Sequence, residues 1–266
     1  MKPNLFEMGG IVVDSYSFFY ILAWIVGVSV FFWEAHRREW AMEKMLLLVG
    51  SCAIGAALGA SALEVLFLEP VSLTPKIGFL DFTGKTVLGG IAGGFLAIEF
   101  TKKRLGITTR TGDAFAMAIP IGHSIGRLGC LFGGCCYGTP THLPWGLSYP
   151  EGSLPFYMYD LAGLLPGGAT QTMALHPAPI YEIVANMLIL IVLLRFSKIF
   201  IKPGSLFRLY LVLYAGFRFL IEFLRADTEM FAAIQIKPVQ IFLLVVVGYF
   251  AHQLYQDEIK HQGGVS

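Results

Sequence analysis

The strongest chemical signal lies late in the chain, in the segment LYLVLYAGFRFLIEFLRAD, residues 209–227. At about 100° per residue on a helix, Tyr214, Arg218, Glu222 and Arg225 fall at about 0°, 40°, 80° and 20°. They form one narrow stripe in an otherwise apolar run. Ionised groups on a membrane helix face protein or a wet cavity, not hydrocarbon. Glu222 can neutralise Arg218 one turn away, but one carboxylate cannot neutralise two guanidiniums. The surplus positive charge suits an anion, and the anion natural to a bilayer is a phospholipid phosphate. A purely internal ladder of ion pairs is the alternative.

A second set lies in GHSIGRLGCLFGGCCYG, residues 122–138. His123 and Arg127 are four residues apart and share a helix face. Arg127 has no acid near it in sequence, and its planar fork matches a phosphate. Bonding to the free carbonyls of a broken helix is the alternative. The segment HPAPIYE, residues 176–182, adds His176, Tyr181 and Glu182. Pro179 suits a helix start, so Glu182 falls in a first turn, where the helix dipole favours a carboxylate. Glu64 is another acid in an apolar run and a candidate partner for Arg127 or Arg218.

Cys130, Cys135 and Cys136 fall within seven residues, in a C-x4-C-C pattern. Four readings stay open. The first is a disulfide from Cys130 to one of the other two. The second is a reactive or acceptor thiol whose thiolate Arg127 stabilises. The third is inert packing. The fourth is a metal site, for which only His123 or His142 offers a spaced fourth ligand. Neither a metal nor a cofactor is assigned. Cys52 reads as a packing residue.

The elements that must position these residues follow from composition. Only 14% of the 266 residues are charged and 56% are hydrophobic, with 30 glycines besides; mean hydropathy is +0.67. Soluble domains carry about 25% charged residues. The chain therefore reads as an all-α, polytopic membrane protein. This composition excludes a disordered chain, a disulfide scaffold and a nucleic-acid binder. Stretches near the length needed to span a bilayer run over about 15–33, 45–68, 86–100, 113–132, 180–196, 206–224 and 238–255. The fourth is expected to break at Pro120 and its glycines. The first follows acids and lacks a cleavage pattern, so it is expected to be a retained span.

Twelve Lys and Arg fall after spans one, three and five and in the tail, against five on the other side. The richer side should be cytoplasmic, which puts the N-terminus outside and the C-terminus inside. One integral-membrane domain, 1–266, is expected. A long external loop at about 139–179 has no Lys or Arg but many aromatics, and suits a lid near the headgroups better than a passive connector.

Together these pieces resemble the bacterial prolipoprotein diacylglyceryl transferase family. The likeness rests on GRLG at 126–129, HPAPIYE at 176–182 and YAGFRFLIEFLRAD at 214–227, with their order and spacing. The resemblance implies a seven-span inner-membrane enzyme without a cofactor. Such an enzyme moves diacylglyceryl from phosphatidylglycerol to a prolipoprotein's lipobox cysteine thiol. It implies catalytic roles for Arg127, Arg218 and Tyr214. His176, Tyr181, Glu182, Glu222 and Arg225 match motif positions. The chain departs from the family pattern at Leu88, where a histidine is the rule, and at Cys130, Gly133 and Cys135, which replace two amides and a carboxylate. His123 or His176 would then serve as base, with His123 the first candidate. The rival readings are a cysteine-dependent membrane oxidoreductase, another lipid-group transferase, and a non-enzymatic lipid-binding or transport protein.

Overall fold

The computed structural model describes residues 4–8, 11–67, 87–200, 202–226 and 237–262. Among them lie α1 (Ser15–Arg37), α2 (Met42–Phe67), α3 (Val87–Leu105), α4 (Gly112–Gly133), the short α5 (Leu154–Leu161), α6 (Ala178–Phe196), α7 (Ser205–Glu222) and α8 (Pro238–Gln262). All but α5 coincide, within a few residues at most ends, with the seven apolar stretches. Five of them contain segments long and apolar enough to cross a membrane: Ser15–Arg37, Met42–Ala62, Gly112–Gly133, Ala178–Phe196 and Val239–Asp257. The protein is thus a mostly helical polytopic membrane protein. α3 and α7 carry more ionised groups, α3 in its Lys102, Lys103, Arg104 end and α7 in the stripe that marks the site. A small antiparallel hairpin, β1 (Asn4–Met8) with β2 (Ile11–Asp14), precedes α1. Asp14 Oδ1 accepts from Ser17 N at 2.8 Å and so caps α1.

The chain divides into two compact units, residues 31–110 and residues 1–30 with 111–266. In the first, α2 and α3 meet through glycines. A methyl group added at Gly55, Gly59 or Gly93 would run into the facing helix, including the backbone at Gly93, Gly89 or Gly55. Helices in lipid lack a hydrophobic drive to associate, so small residues that admit backbone-to-backbone packing hold them together. The side chains of Leu88 and Glu64 lie outside the described residues, and so does the expected role of each.

The second unit holds the site. Its α4 corrects one expectation: Pro120 does not break it, and the helix runs unbroken from Gly112 to Gly133. Ser124 Oγ donates to the Pro120 carbonyl at 2.8 Å. The glycines serve close approach instead. A Cβ on Gly122 would stand 3.1 Å from the Ala23 carbonyl, and one on Gly129 would stand 3.1 Å from Phe19 Cβ and 3.3 Å from Tyr16 Cα. Asp113, at the start of α4, caps α7 across the unit, accepting from Gly204 N at 2.9 Å and Phe207 N at 3.3 Å. Gly204 has no side chain to satisfy those donors itself. Asp257 of α8 holds Lys202 and Arg208 at the same end.

At the other end of α7 its last carbonyls are also satisfied. Lys237 Nζ donates to the carbonyls of Glu222 at 2.7 Å and Arg225 at 3.0 Å, and Gln240 Nε2 donates to that of Phe219 at 3.2 Å. The 139–179 segment is not a bare connector. Its two arms pair through Gly138, Thr139, Thr141 and Leu147 with Ala174, Leu175 and His176, and it encloses α5. Tyr137, Tyr149, Tyr159 and Leu175 form its own core. Burial, then the neighbouring Cys135 and Cys136, push the Tyr149 hydroxyl up to about 12.

Candidate functional site

Glu182 stands at the centre. It lies one turn into α6 and is 2% exposed. Its Oε2 is 2.6 Å from Arg127 Nε of α4, and its Oε1 is 3.1 Å from Arg225 Nη1, just beyond α7. One carboxylate therefore ties three segments that are far apart in sequence. The acid that Arg127 lacks nearby in the chain is supplied by α6, so its guanidinium does not turn to helix carbonyls. Glu222, fully buried, is 2.5 Å from Arg218 Nη1 and 3.4 Å from Lys237 Nζ. Tyr214, Arg218 and Glu222 lie on α7, but the helix ends before Arg225, which pairs across to α6.

Among the described residues, Arg127, Arg218, Arg225 and Lys237 gather around Glu182 and Glu222. Burying ions costs several kcal/mol each unless they are paired, and these pairs join α4, α6 and α7. A narrow cavity beside it is lined by Glu182, Asn186, Tyr214, Phe217, Arg218 and Ile221. Arg218, with 15% side-chain exposure against 0% for Glu222, is the arginine that lines that cavity.

His123 is enclosed. Its Nε2 lies 3.2 Å from Arg127 Nε and 3.4 Å from Glu182 Oε2, and its Nδ1 lies 3.3 Å from Asn186 Nδ2. Nε2 accepts from Arg127 when bare and donates to Glu182 when protonated, never both. Its ring packs on Tyr214, with centroids 5.6 Å apart. His176 and Tyr181 form a separate group at the head of α6. The Tyr181 hydroxyl accepts from Trp145 Nε1 at 2.9 Å and meets His176 Nδ1 at 3.0 Å. This group joins the loop to α6.

All four cysteines carry free thiols. Cys130, Cys135 and Cys136 converge, and Arg127 Nη1 donates to Cys136 Sγ at 3.5 Å and Cys130 Sγ at 3.7 Å. Tyr16 of α1 stands beside the three sulfurs. Sequence reasoning missed Asn186, Tyr16 and Lys237 as site residues. A buried amide inside the apolar run of α6 was a legible signal. Tyr16 and Lys237 gave none, since each sits at the end of an apolar stretch, where such residues are commonplace.

Long apolar helices around a buried cluster of arginines and carboxylates define a polytopic helical membrane protein with a charged interior site. The family profile described as prolipoprotein diacylglyceryl transferase matches residues 3–253, and the chain belongs to that family. It is 32% identical over 254 residues to the phosphatidylglycerol–prolipoprotein diacylglyceryl transferase of Gloeobacter violaceus, covering 92% of this chain and 90% of the relative. It is 28% identical over 229 residues to the protein of that name from Clostridium tetani, covering 85% and 86%. A third, from Trichormus variabilis, is 31% identical over 246 residues, covering 89% and 83%.

Proposed function

We propose that this chain transfers the diacylglyceryl group of a phosphatidylglycerol-like phospholipid to the cysteine thiol of a prolipoprotein, as a seven-span protein of the bacterial inner membrane. The observation that carries the reading is Arg218, paired with Glu222 and lining a narrow cavity together with Tyr214, in the same buried cluster in which Glu182 engages Arg127 and Arg225. In this reading Arg218, with Tyr214 beside it, holds the phosphate ester and stabilises the charge that develops on the leaving glycerol phosphate. Glu182 and Glu222 hold the arginines rather than the lipid. Arg127 links the phosphate side to the thiol side. His123 is a positioning residue: with both ring nitrogens against protein partners, it orients Arg127 and is not free to act as a base.

His176, Tyr181 and Trp145 tie the 139–179 segment to the mouth, where it acts as a lid. Exposed Trp145, Leu154, Tyr157 and Leu161 support its lying among headgroups. The excess of basic residues after spans one, three and five supports an outside N-terminus and a cytoplasmic C-terminus. The test is reconstitution. Purified chain in phosphatidylglycerol vesicles should add one diacylglyceryl mass to a lipobox peptide and release glycerol phosphate. A peptide that stays unmodified with a folded protein, while an authentic transferase modifies it in parallel, overturns the reading.

A further inference from the structure

We propose that Cys130, Cys135 and Cys136 form a zinc site with one open coordination position, and that the open position takes the acceptor's thiol. The acceptor's identity rests on the transferase reading; the metal site rests on geometry. The three Sγ atoms all lie within 4.8 Å of one another. Zinc–sulfur bonds of about 2.3 Å put tetrahedral ligands about 3.8 Å apart, so small rotations about χ1 close the set.

The backbone is shaped for this convergence. Side chains of adjacent residues ordinarily diverge, yet Cys135 and Cys136 both point toward Cys130. Gly134, the cap of α4, is left-handed at φ 71° and ψ 31°, and Cys136 is itself at φ 57°. A non-glycine residue there is strained, and inert packing thiols do not require that strain. Among the described residues no fourth Cys, His, Asp or Glu joins the group. Three protein ligands with a vacant fourth position is the pattern of reactive zinc, whereas structural zinc is closed by four.

Charge supports the same assignment. Three thiolates on a divalent ion leave one negative charge. Arg127, whose Nε stays on Glu182, donates from Nη1 to Cys136 Sγ at 3.5 Å and Cys130 Sγ at 3.7 Å, as outer-shell donors to metal ligands do. A thiol that binds zinc gives up its proton, here to solvent, so no histidine base is needed. The zinc-held thiolate then attacks the glycerol carbon that bears the phosphate ester. The C–S bond forms, the C–O bond breaks, and its electron pair leaves with glycerol phosphate. The thioether product is a weak ligand and departs. No oxidant or reductant enters.

The full chain, purified in detergent under reducing conditions and stripped of metal, is titrated with Co²⁺. One Co²⁺ per chain, with sulfur-to-cobalt charge-transfer absorption that stoichiometric Zn²⁺ abolishes, is the expected result. Cys130→Ser, Cys135→Ser and Cys136→Ser should each weaken Zn²⁺ binding by more than the roughly 100-fold that loss of an outer-shell partner costs at most. Cys52→Ser should not. Cys135→His, which keeps a ligand, should retain Co²⁺ with less charge-transfer intensity, which separates lost ligation from lost folding.

A lipobox peptide with cysteine, but not its serine counterpart, should shift the Co²⁺ spectrum. Absent metal uptake, uptake indifferent to the three variants, an oxidised cysteine pair in the fresh protein, or a spectrum unmoved by the thiol peptide each overturns the inference. Full-rate diacylglyceryl transfer by metal-free chain overturns the zinc role and leaves the transferase reading intact. Thiol-responsive Co²⁺ binding without transfer from phosphatidylglycerol keeps the zinc–thiol site and sinks the transferase reading.

Discussion

Replacing Glu182 by Gln removes the carboxylate that engages both Arg127 and Arg225. Breaking a buried ion pair by deleting one partner costs about 3–5 kcal/mol, because the remaining charge stays buried. Glu182→Gln should therefore lower the thermal midpoint in detergent well below that of the unaltered chain; an unchanged midpoint contradicts the hub role. Arg218 is different, since it is partly open and Glu222 keeps Lys237 nearby. Arg218→Gln should leave the fold in place and reduce turnover by about 10²–10³, the effect of losing one donor to a developing negative charge. Arg218→Lys should recover only part, because an ammonium lacks the planar fork. Turnover near the unaltered rate in Arg218→Gln contradicts the phosphate role. The residue types of this cluster were legible from sequence through the stripe on α7 and the His123–Arg127 pair. Their partners were not, since α6 supplies Glu182 from 55 positions past Arg127.

Two acids act on the elements that position the site. Asp113 satisfies the first donors of α7 from another helix, and loss of a cap costs about 0.5–2 kcal/mol. Asp113→Ala should lower stability by that amount, seen as faster amide exchange in the first turn of α7; exchange unchanged there means the cap is idle. Asp14 caps α1, which carries Tyr16 to the sulfurs. Burial alone would raise its carboxyl, but the hydrogen bond from Ser17 N and its neighbours wins and holds it below the usual range. The cap therefore contributes fully above the ordinary carboxylate range and fades as pH falls through the lowered folded value. Asp14→Asn caps without titrating, so the stability gap between the unaltered chain and this variant should narrow in acid. A gap independent of pH contradicts this account.

At the scale of the whole chain, the distribution of charge sets the expected orientation. A reporter active only in the cytoplasm, fused after Ser266, should be active, and one inserted in the 139–179 segment should not. An inactive C-terminal fusion at normal expression reverses the orientation. The segment itself has a folded core around Tyr149 and a tether to α6 through Trp145 on Tyr181.

The sequence alone determined the helical membrane class, because apolar run length is set by bilayer thickness and is local. It also determined which side chains could do chemistry, because ionised groups and clustered thiols stand out against a background of Leu, Ile, Phe and Gly. Helix period put Tyr214, Arg218 and Glu222 on one face without any tertiary information, although the helix stops short of Arg225. What only the tertiary structure decided is who pairs with whom. Pro120 reads as a break until its helix is seen to run on against α1. Glu182 reads as a dipole-stabilised first-turn acid until Arg127 and Arg225 arrive from other segments. Cys135 and Cys136, neighbours whose side chains should diverge, meet Cys130 only because the backbone turns left-handed at Gly134 and Cys136. Pairing of this kind depends on distances between segments remote in sequence, and no local period or propensity encodes those distances.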